Sequence, residues 1–182
     1  MNKLLRTWWV IFRARWRSKL GALDVGRLTM RAWPSDVDIL RHINNGVYLT
    51  LADFGRYDLL VRSGVWANLT RLRWYPVVAN ATISYRKSIQ VWQKYVLETR
   101  LIGVDAVAAY LEQRFTVDGE VYARLILRTR FLKRAGGTVS VAELSEALGV
   151  DPSSLTLPDW ISGWADDVAL PSTKAPAPSE WS

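Results

Sequence analysis

The sequence predicts an α+β fold in which an antiparallel sheet carries one long helix on one of its faces. Three observations carry this. Residues 45–63 repeat apolar side chains at helical spacing, four segments between 77 and 133 alternate apolar with polar residues, and the connections between those segments are short. With 182 residues the chain is long enough for a real core, and 49% apolar against 23% charged residues fits a globular protein.

Residues 3–19 have the pattern of a basic amphipathic helix. Leu4, Leu5, Trp8, Trp9, Ile11, Phe12 and Trp16 share one half of the helical wheel. Lys3, Arg6, Arg13 and Arg17 fall opposite, while Arg15 and Lys19 intrude on the apolar half. The apolar run from Trp8 to Phe12 is too short to span a bilayer. Arg6 and Arg13 bracket it and no small-residue cleavage site follows, unlike a signal peptide. Two readings stay open. The helix lies in a membrane interface, where tryptophan and arginine both find favourable depths, or it docks on its own domain or on a partner subunit.

Residues 28–34 alternate as a first strand stopped by Pro34. In the helix that follows, Tyr48, Leu51, Ala52, Gly55, Leu59 and Leu60 form one stripe, and Gly64 supplies a stop. Small Ala52 and Gly55 let such a helix approach a sheet closely. Residues 65–75 carry no clear pattern. Strands are expected at about 77–88, 92–103, 106–117 and 120–133, with Asp118-Gly119 as a two-residue hairpin turn. Ala135-Gly136-Gly137 breaks the last strand, and 140–149 reads as a short helix with Ser140 and Glu143 forming a capping box. Further on, Trp160, Ile161 and Trp164 suit a small docking anchor, and 171–182 has the composition of a disordered tail. The expected organisation is an N-terminal helix at 1–26, a domain at 27–134, and a C-terminal short helix with a flexible acidic, Pro-rich tail at 135–182.

Composition excludes several chemistries. Without cysteine there is no disulfide, thiolate metal site or cysteine nucleophile. A single histidine and no clustered carboxylates argue against a protein-held metal. The net charge of +7 is uneven: residues 1–27 hold seven cations against Asp24, and 135–182 hold seven acids against Lys174. A basic core suits an anionic ligand such as a phosphorylated cofactor, nucleic acid, or plain solubility, and charge alone does not separate these.

The densest polar cluster is "DVDILRHINNGVY", residues 36–48, between the first strand and the long helix. A helix N-terminus offers unpaired N–H groups and a positive dipole end, which favour an anion or a developing oxyanion. Asn44 or Asn45 suits the cap. Alternation along an extended segment sends Asp36 and Asp38 to the same side. A carboxylate beside an oxyanion-binding helix end is a workable pair for acyl transfer. Ordinary capping explains the same residue types equally well, with His42 bonded to a carbonyl and Asp53 and Arg56 forming a helix-surface pair.

The stretch "SDVDILRHINNGVYLTLADFGRYDLL" resembles the signature of the hotdog-fold thioesterases of the 4-hydroxybenzoyl-CoA thioesterase-like family. That signature is D-x-D-x-x-G-H-x-N-N-x-x-Y, followed by an acidic residue and an arginine in the helix. Asp36, Asp38, His42, Asn44, Asn45, Tyr48, Asp53 and Arg56 match it in order and without gaps. Within the superfamily the chain most resembles the subgroup typified by thioesterase superfamily member six, through its N-terminal helix, "WYPVVANATISYRKSI" and "LEQRF".

The resemblance implies a hotdog fold, a five-stranded antiparallel sheet wrapped around one long central helix. It implies an acyl-CoA thioesterase with no cofactor, coenzyme A being part of the substrate. Asp38 aligns with the catalytic nucleophile or general base, and the polarising N–H falls at about Asn45. His42 and Tyr48 become substrate-binding candidates, with Asp36, Asn44, Asp53 and Arg56 in support. It also implies a homodimer or tetramer, an acyl-CoA or acyl-carrier thioester partner, and coenzyme A phosphates near Arg86, Lys87, Lys133 and Arg134. The location expected is cytoplasmic, with the N-terminal helix the one candidate for peripheral membrane contact through residues 3–19. Two departures stand out: Arg41 replaces the usual glycine before histidine, and Asp53 replaces the usual glutamate. The alternative is a non-catalytic acyl-thioester or lipid-binding protein at a membrane surface. A hydratase ranks lower, since its Asp–His spacing differs, and nucleic-acid binding is disfavoured by the acidic loop.

Overall fold

A computed structural model describes residues 3–171 and 175–179. Of the tail expected to be disordered, 172–174 and 180–182 lie outside the described residues. The order is α1 (Lys3–Ala14), β1 (Gly26–Arg31), a 3-10 turn (Pro34–Asp36), α2 (Val47–Arg62), α3 (Val65–Leu72), β2 (Trp74–Tyr85), β3 (Lys94–Val104), β4 (Ala108–Val117), β5 (Glu120–Lys133), α4 (Val141–Leu148) and α5 (Asp159–Asp167). The strands form one antiparallel sheet in the order β1-β3-β4-β5-β2. Period-two alternation therefore located β3, β4 and β5 closely. The strand expected at 28–34 is shifted to 26–31, and the one expected at 77–88 to 74–85. The patternless stretch after Gly64 contains α3, which buries Val65 and Leu69.

Asp118 and Gly119 both have positive φ, 51° and 83°, as a tight β4–β5 hairpin requires. Ser140 accepts a hydrogen bond from the Glu143 N–H and Glu143 reaches back to the Ser140 N–H, so the capping box forms as expected.

α2 packs across one face of the sheet. Tyr48, Leu51, Ala52 and Phe54 join Leu97, Phe115, Leu125 and Leu127 in the main core. The approach is close at Gly55: a Cβ there would lie 2.5 Å from Thr99 Oγ1 and 2.8 Å from Leu97 Cδ2. The other face carries α5, where Ile161 and Ala165 pack with Tyr110 and Ile126. Trp160 remains half exposed, with the Arg124 guanidinium 5.8 Å from its ring centre.

α1 docks on this domain, but by the half of its wheel that carries arginine. Arg6, Val10, Ile11 and Ala14 are buried, whereas Leu5, Trp8, Trp9, Phe12 and Trp16 are 53–69% exposed. The reason is two buried carboxylates that need cationic partners. Arg6 Nη1 donates to both oxygens of Asp36 at 2.7 Å. Just beyond α1, Arg17 Nη1 donates to Asp58 at 2.6 Å, and Asp58 also accepts from Arg62 at 3.0 Å. Small Ala14 and Val10 then let the helix close on α2. No helix among the described residues is long and apolar enough to cross a membrane.

Candidate active site

The polar cluster of residues 36–48 folds as a small closed loop that feeds into α2. Val37 pairs with Ile43 in an isolated antiparallel bridge, and His42 pairs with Gln90. The Asp38 N–H donates to the His42 carbonyl and the Arg41 N–H to the Asp38 carbonyl, so residues 38–41 form a tight turn. Arg41 takes φ 63°, the left-handed conformation that glycine adopts without cost. The turn therefore keeps its shape with arginine and bears local strain instead.

Within this turn the carboxylate of Asp38 is oriented but not neutralised. The Leu40 N–H donates to Oδ1 at 2.9 Å. Oδ2 lies 3.6 Å from His42 Nδ1, too long for a good hydrogen bond, and both side chains are about a quarter exposed. His42 Nδ1 is 3.4 Å from the Ile43 carbonyl. Oδ2 is thus the oxygen left for a reacting group.

Asp36 does not share that face. It closes the 3-10 turn rather than lying in an extended segment, so the expected alternation with Asp38 fails. Its carboxylate is fully buried, held by Arg6 and by the Trp33 N–H at 3.0 Å. Its carbonyl accepts from the Asn44 N–H at 3.0 Å. Asn44 in turn accepts from the Gly46 N–H through Oδ1 and from the Val47 N–H through its carbonyl, which makes Asn44 the residue that shapes the start of α2. Asn45 is exposed, its carbonyl accepts from the Tyr85 hydroxyl at 2.8 Å, and its own N–H has no partner among the described residues.

The apolar residues of the loop divide. Ile43 and Tyr48 are buried and Val47 packs against them, so these three anchor the loop. Ile39 and Leu40, which an anchoring role would bury, stand 96% and 67% exposed at the tip of the turn. Tyr48 is a core residue: its ring meets Phe115 at 4.8 Å and Tyr85 at 5.2 Å edge-on, and burial pushes its phenol up to about 12. That placement assigns it to packing, not to substrate contact.

Asp53 and Arg56 are ion-paired on α2, and Arg56 Nη1 also donates to Gln113 Oε1 at 3.3 Å. Gln113, buried on β4, donates to the Ala52 carbonyl and to Thr99 Oγ1. Asp53, Arg56 and Thr99 border a cavity of about 120 Å³ between α2 and the sheet, walled by Leu60, Val78, Leu111 and Phe131. Thr129 also lines it, and its buried hydroxyl has no hydrogen-bond partner among the described residues. Gln113, Thr99 and Thr129 escaped sequence reasoning. The available signal was a polar residue at an inward position of an alternating strand, as in Leu111, Gln113, Phe115.

Of the cations expected near phosphates, Arg86 and Lys87 both pair with Glu120, leaving one net positive charge, and Lys133 pairs with Glu143. Arg134 lines a separate cleft with Arg73, Trp66 and Trp74. Arg86 and Lys87 follow Tyr85 directly, so the end of β2 brings them toward Asn45.

Residues 32–165 match the model of the Thioesterase-like superfamily. Protein THEM6 of Xenopus laevis is 38% identical over 97 residues, which are 53% of this chain and 47% of that protein. Protein THEM6 of Drosophila melanogaster is 26% identical over 176 residues, 96% of this chain and 90% of that protein. The chain thus spans about half of the Xenopus protein and nearly all of the Drosophila one. Among solved structures, the YbaW probable thioesterase from Escherichia coli superposes with a TM-score of 0.63 at 22% identity, covering 67% of this chain and 95% of that one. The sheet wrapped on α2 is the hotdog fold.

Proposed function

The chain belongs to the Thioesterase-like superfamily, and from that premise we propose that it hydrolyses an acyl-CoA thioester, with Asp38 as nucleophile or general base. The observation that carries this reading is the pairing of one oriented carboxylate with an open helix start. Asp38 Oδ1 is fixed by the Leu40 N–H while Oδ2 is free, and the Asn45 N–H at the entry to α2 is unpartnered among the described residues. As general base, Asp38 accepts a proton from the water that attacks the thioester carbonyl carbon. The oxyanion that forms is held by N–H groups at the α2 N-terminus, where the dipole favours it. Collapse breaks the C–S bond, and the proton leaves with the coenzyme A thiolate. As nucleophile, Asp38 forms a mixed anhydride that water then cleaves.

Two further features fit this reading. β2 is an edge strand with an unpaired side, and its last residue, Tyr85, bonds to the Asn45 carbonyl. A homodimer formed along β2 therefore closes the partner over the site, with Arg86 and Lys87 placed for coenzyme A phosphates. The cavity between α2 and the sheet receives the acyl group, its apolar walls interrupted by Tyr57, Thr99, Thr129 and the Asp53–Arg56 pair. A second reading, a non-catalytic acyl-thioester or lipid-binding protein at a membrane surface, is favoured by the exposed apolar face of α1.

A panel of acyl-CoAs of graded chain length, aliphatic and aromatic, separates the two. Release of free coenzyme A thiol from at least one of them is expected. Saturable binding across the panel with no release would establish the non-catalytic reading.

A further inference from the structure

We propose that the exposed face of α1 inserts into the interface of an anionic lipid bilayer and sets the mouth of the Asp38 loop against that surface. The proposal deepens the thioesterase reading and rests on it only for the identity of the site. Trp8, Trp9 and Phe12 on α1, and Trp16 just beyond it, are 53–69% exposed, while the opposite face of the helix is already docked. Membrane interfaces favour tryptophan beside arginine. The first acidic residue of the chain is Asp24, and although Arg6 and Arg17 are paired with Asp36 and Asp58, Lys3, Arg13, Arg15 and Lys19 add positive charge to the same segment. That charge complements anionic headgroups. It also opposes burial of the face against the same face of a second copy, which would bring two strongly cationic segments together.

Exposed apolar side chains recur between α1 and the site. Trp9 and Trp33 line one cavity between α1 and β1. The Trp33 and Trp92 rings are 5.7 Å apart, and Val91, beside Trp92, donates to the Arg41 carbonyl in the Asp38 turn. At the tip of that turn stand Ile39 and Leu40, almost bare. Trp33 and Trp92 are themselves more than a third exposed, so apolar side chains stand in water at each step of this path. A rigid path joins the same two places internally. Arg6 on α1 clamps Asp36, Asp36 holds the Asn44 N–H, and Asn44 holds the first N–H groups of α2. Arg6 is thus a positioning residue: the helix that meets the lipid is tied to the loop that meets the thioester.

The test is co-sedimentation of the full chain with phosphatidylcholine vesicles, with and without phosphatidylglycerol. The expected result is partition that needs the anionic lipid, weakens with salt, and falls at least tenfold in the double variant Trp8→Asp, Phe12→Asp. Equal partition of the double variant, or no partition of the wild type, overturns the proposal. So does a variant that changes only the oligomer mass in light scattering, which would assign the face to a second copy. Because the chain has no cysteine, Ile39→Cys carries a single polarity-sensitive fluorophore. Its emission is expected to shift to the blue on anionic vesicles, while a label at Glu146→Cys on α4 stays unchanged; no shift at position 39 overturns the orientation. Hydrolysis of a soluble short-chain acyl-CoA without vesicles should be the same in wild type and double variant. Vesicle binding without hydrolysis of any thioester would sink the thioesterase reading and leave the surface assignment standing.

Discussion

Replacing Arg6 with alanine leaves the Asp36 carboxylate inside the protein with no cation. Asp36 is fully buried and Arg6 is 4% exposed, so water does not replace the lost partner at either site. Breaking one member of a buried pair in this way costs about 3–5 kcal/mol. For a chain of this length each kcal/mol lowers the melting temperature by roughly 2–4 °C, giving a drop of about 6–20 °C. Urea unfolding at neutral pH reads the free energy directly. Arg6→Met leaves the same buried charge, and adding Asp36→Asn to it should recover at least half of the loss that Arg6→Met alone shows, because the amide oxygen still accepts the Trp33 N–H and no charge remains buried. A loss near that of an exposed surface pair, below about 1 kcal/mol, would refute the reasoning. So would a double variant no more stable than Arg6→Met alone.

Gly55→Ala is expected to cost about 1–3 kcal/mol, since its Cβ would meet Leu97 and Thr99 inside 3 Å; an unchanged urea midpoint would contradict the packing of α2 on β3. Arg41→Gly should leave stability unchanged or raise it by up to about 1 kcal/mol, because glycine relieves the positive φ at some entropic cost. A loss above about 1 kcal/mol would mean the arginine side chain itself holds the turn. Acid should destabilise the outer face of the sheet. Burial raises the Glu112 carboxyl, but hydrogen bonds from Arg100 and Arg114 and the charges of Arg114 and Arg124 outweigh it and hold the group below its usual value. Burial likewise raises Asp105, and the Val107 N–H, Tyr110 and Arg128 hold it low. Stability from such groups is complete above their ordinary range and is lost as pH falls through their depressed values. Urea midpoints between about pH 6 and 3 should therefore fall less steeply in Glu112→Gln; equal slopes would rule the network out as the source.

The sheet was legible because its strands alternate cleanly and its last hairpin carries Asp-Gly. The α2 stripe was legible for the same reason, and the close approach at Gly55 followed from residue size alone. α3 was missed because a two-turn helix offers too few residues for a periodicity. Which half of α1 docks was not legible in the sequence, for a physical reason. The wheel assigns the apolar half to the core unless buried carboxylates elsewhere need partners, and Asp36 and Asp58 are remote in sequence from Arg6 and Arg17. Asp36 looked equivalent to Asp38 until the 3-10 turn separated them. The exposure of Ile39 and Leu40 was not legible because sequence does not reveal a turn tip held by an arginine in a glycine conformation. The role of Asp38 itself stays where the family resemblance put it.

The central claim is that Asp38 performs the chemistry while the rest of the loop positions it. Its most direct test is kcat/KM of Asp38→Asn on the best acyl-CoA of the panel, measured beside the binding of that thioester. The carboxamide keeps the size of the side chain and still accepts the Leu40 N–H, but it neither attacks a carbonyl nor takes a proton. A fall of at least about 100-fold in kcat, with thioester affinity and melting temperature little changed, is the expected result. Turnover within a few fold of the wild type would contradict it and move the catalytic role away from this loop.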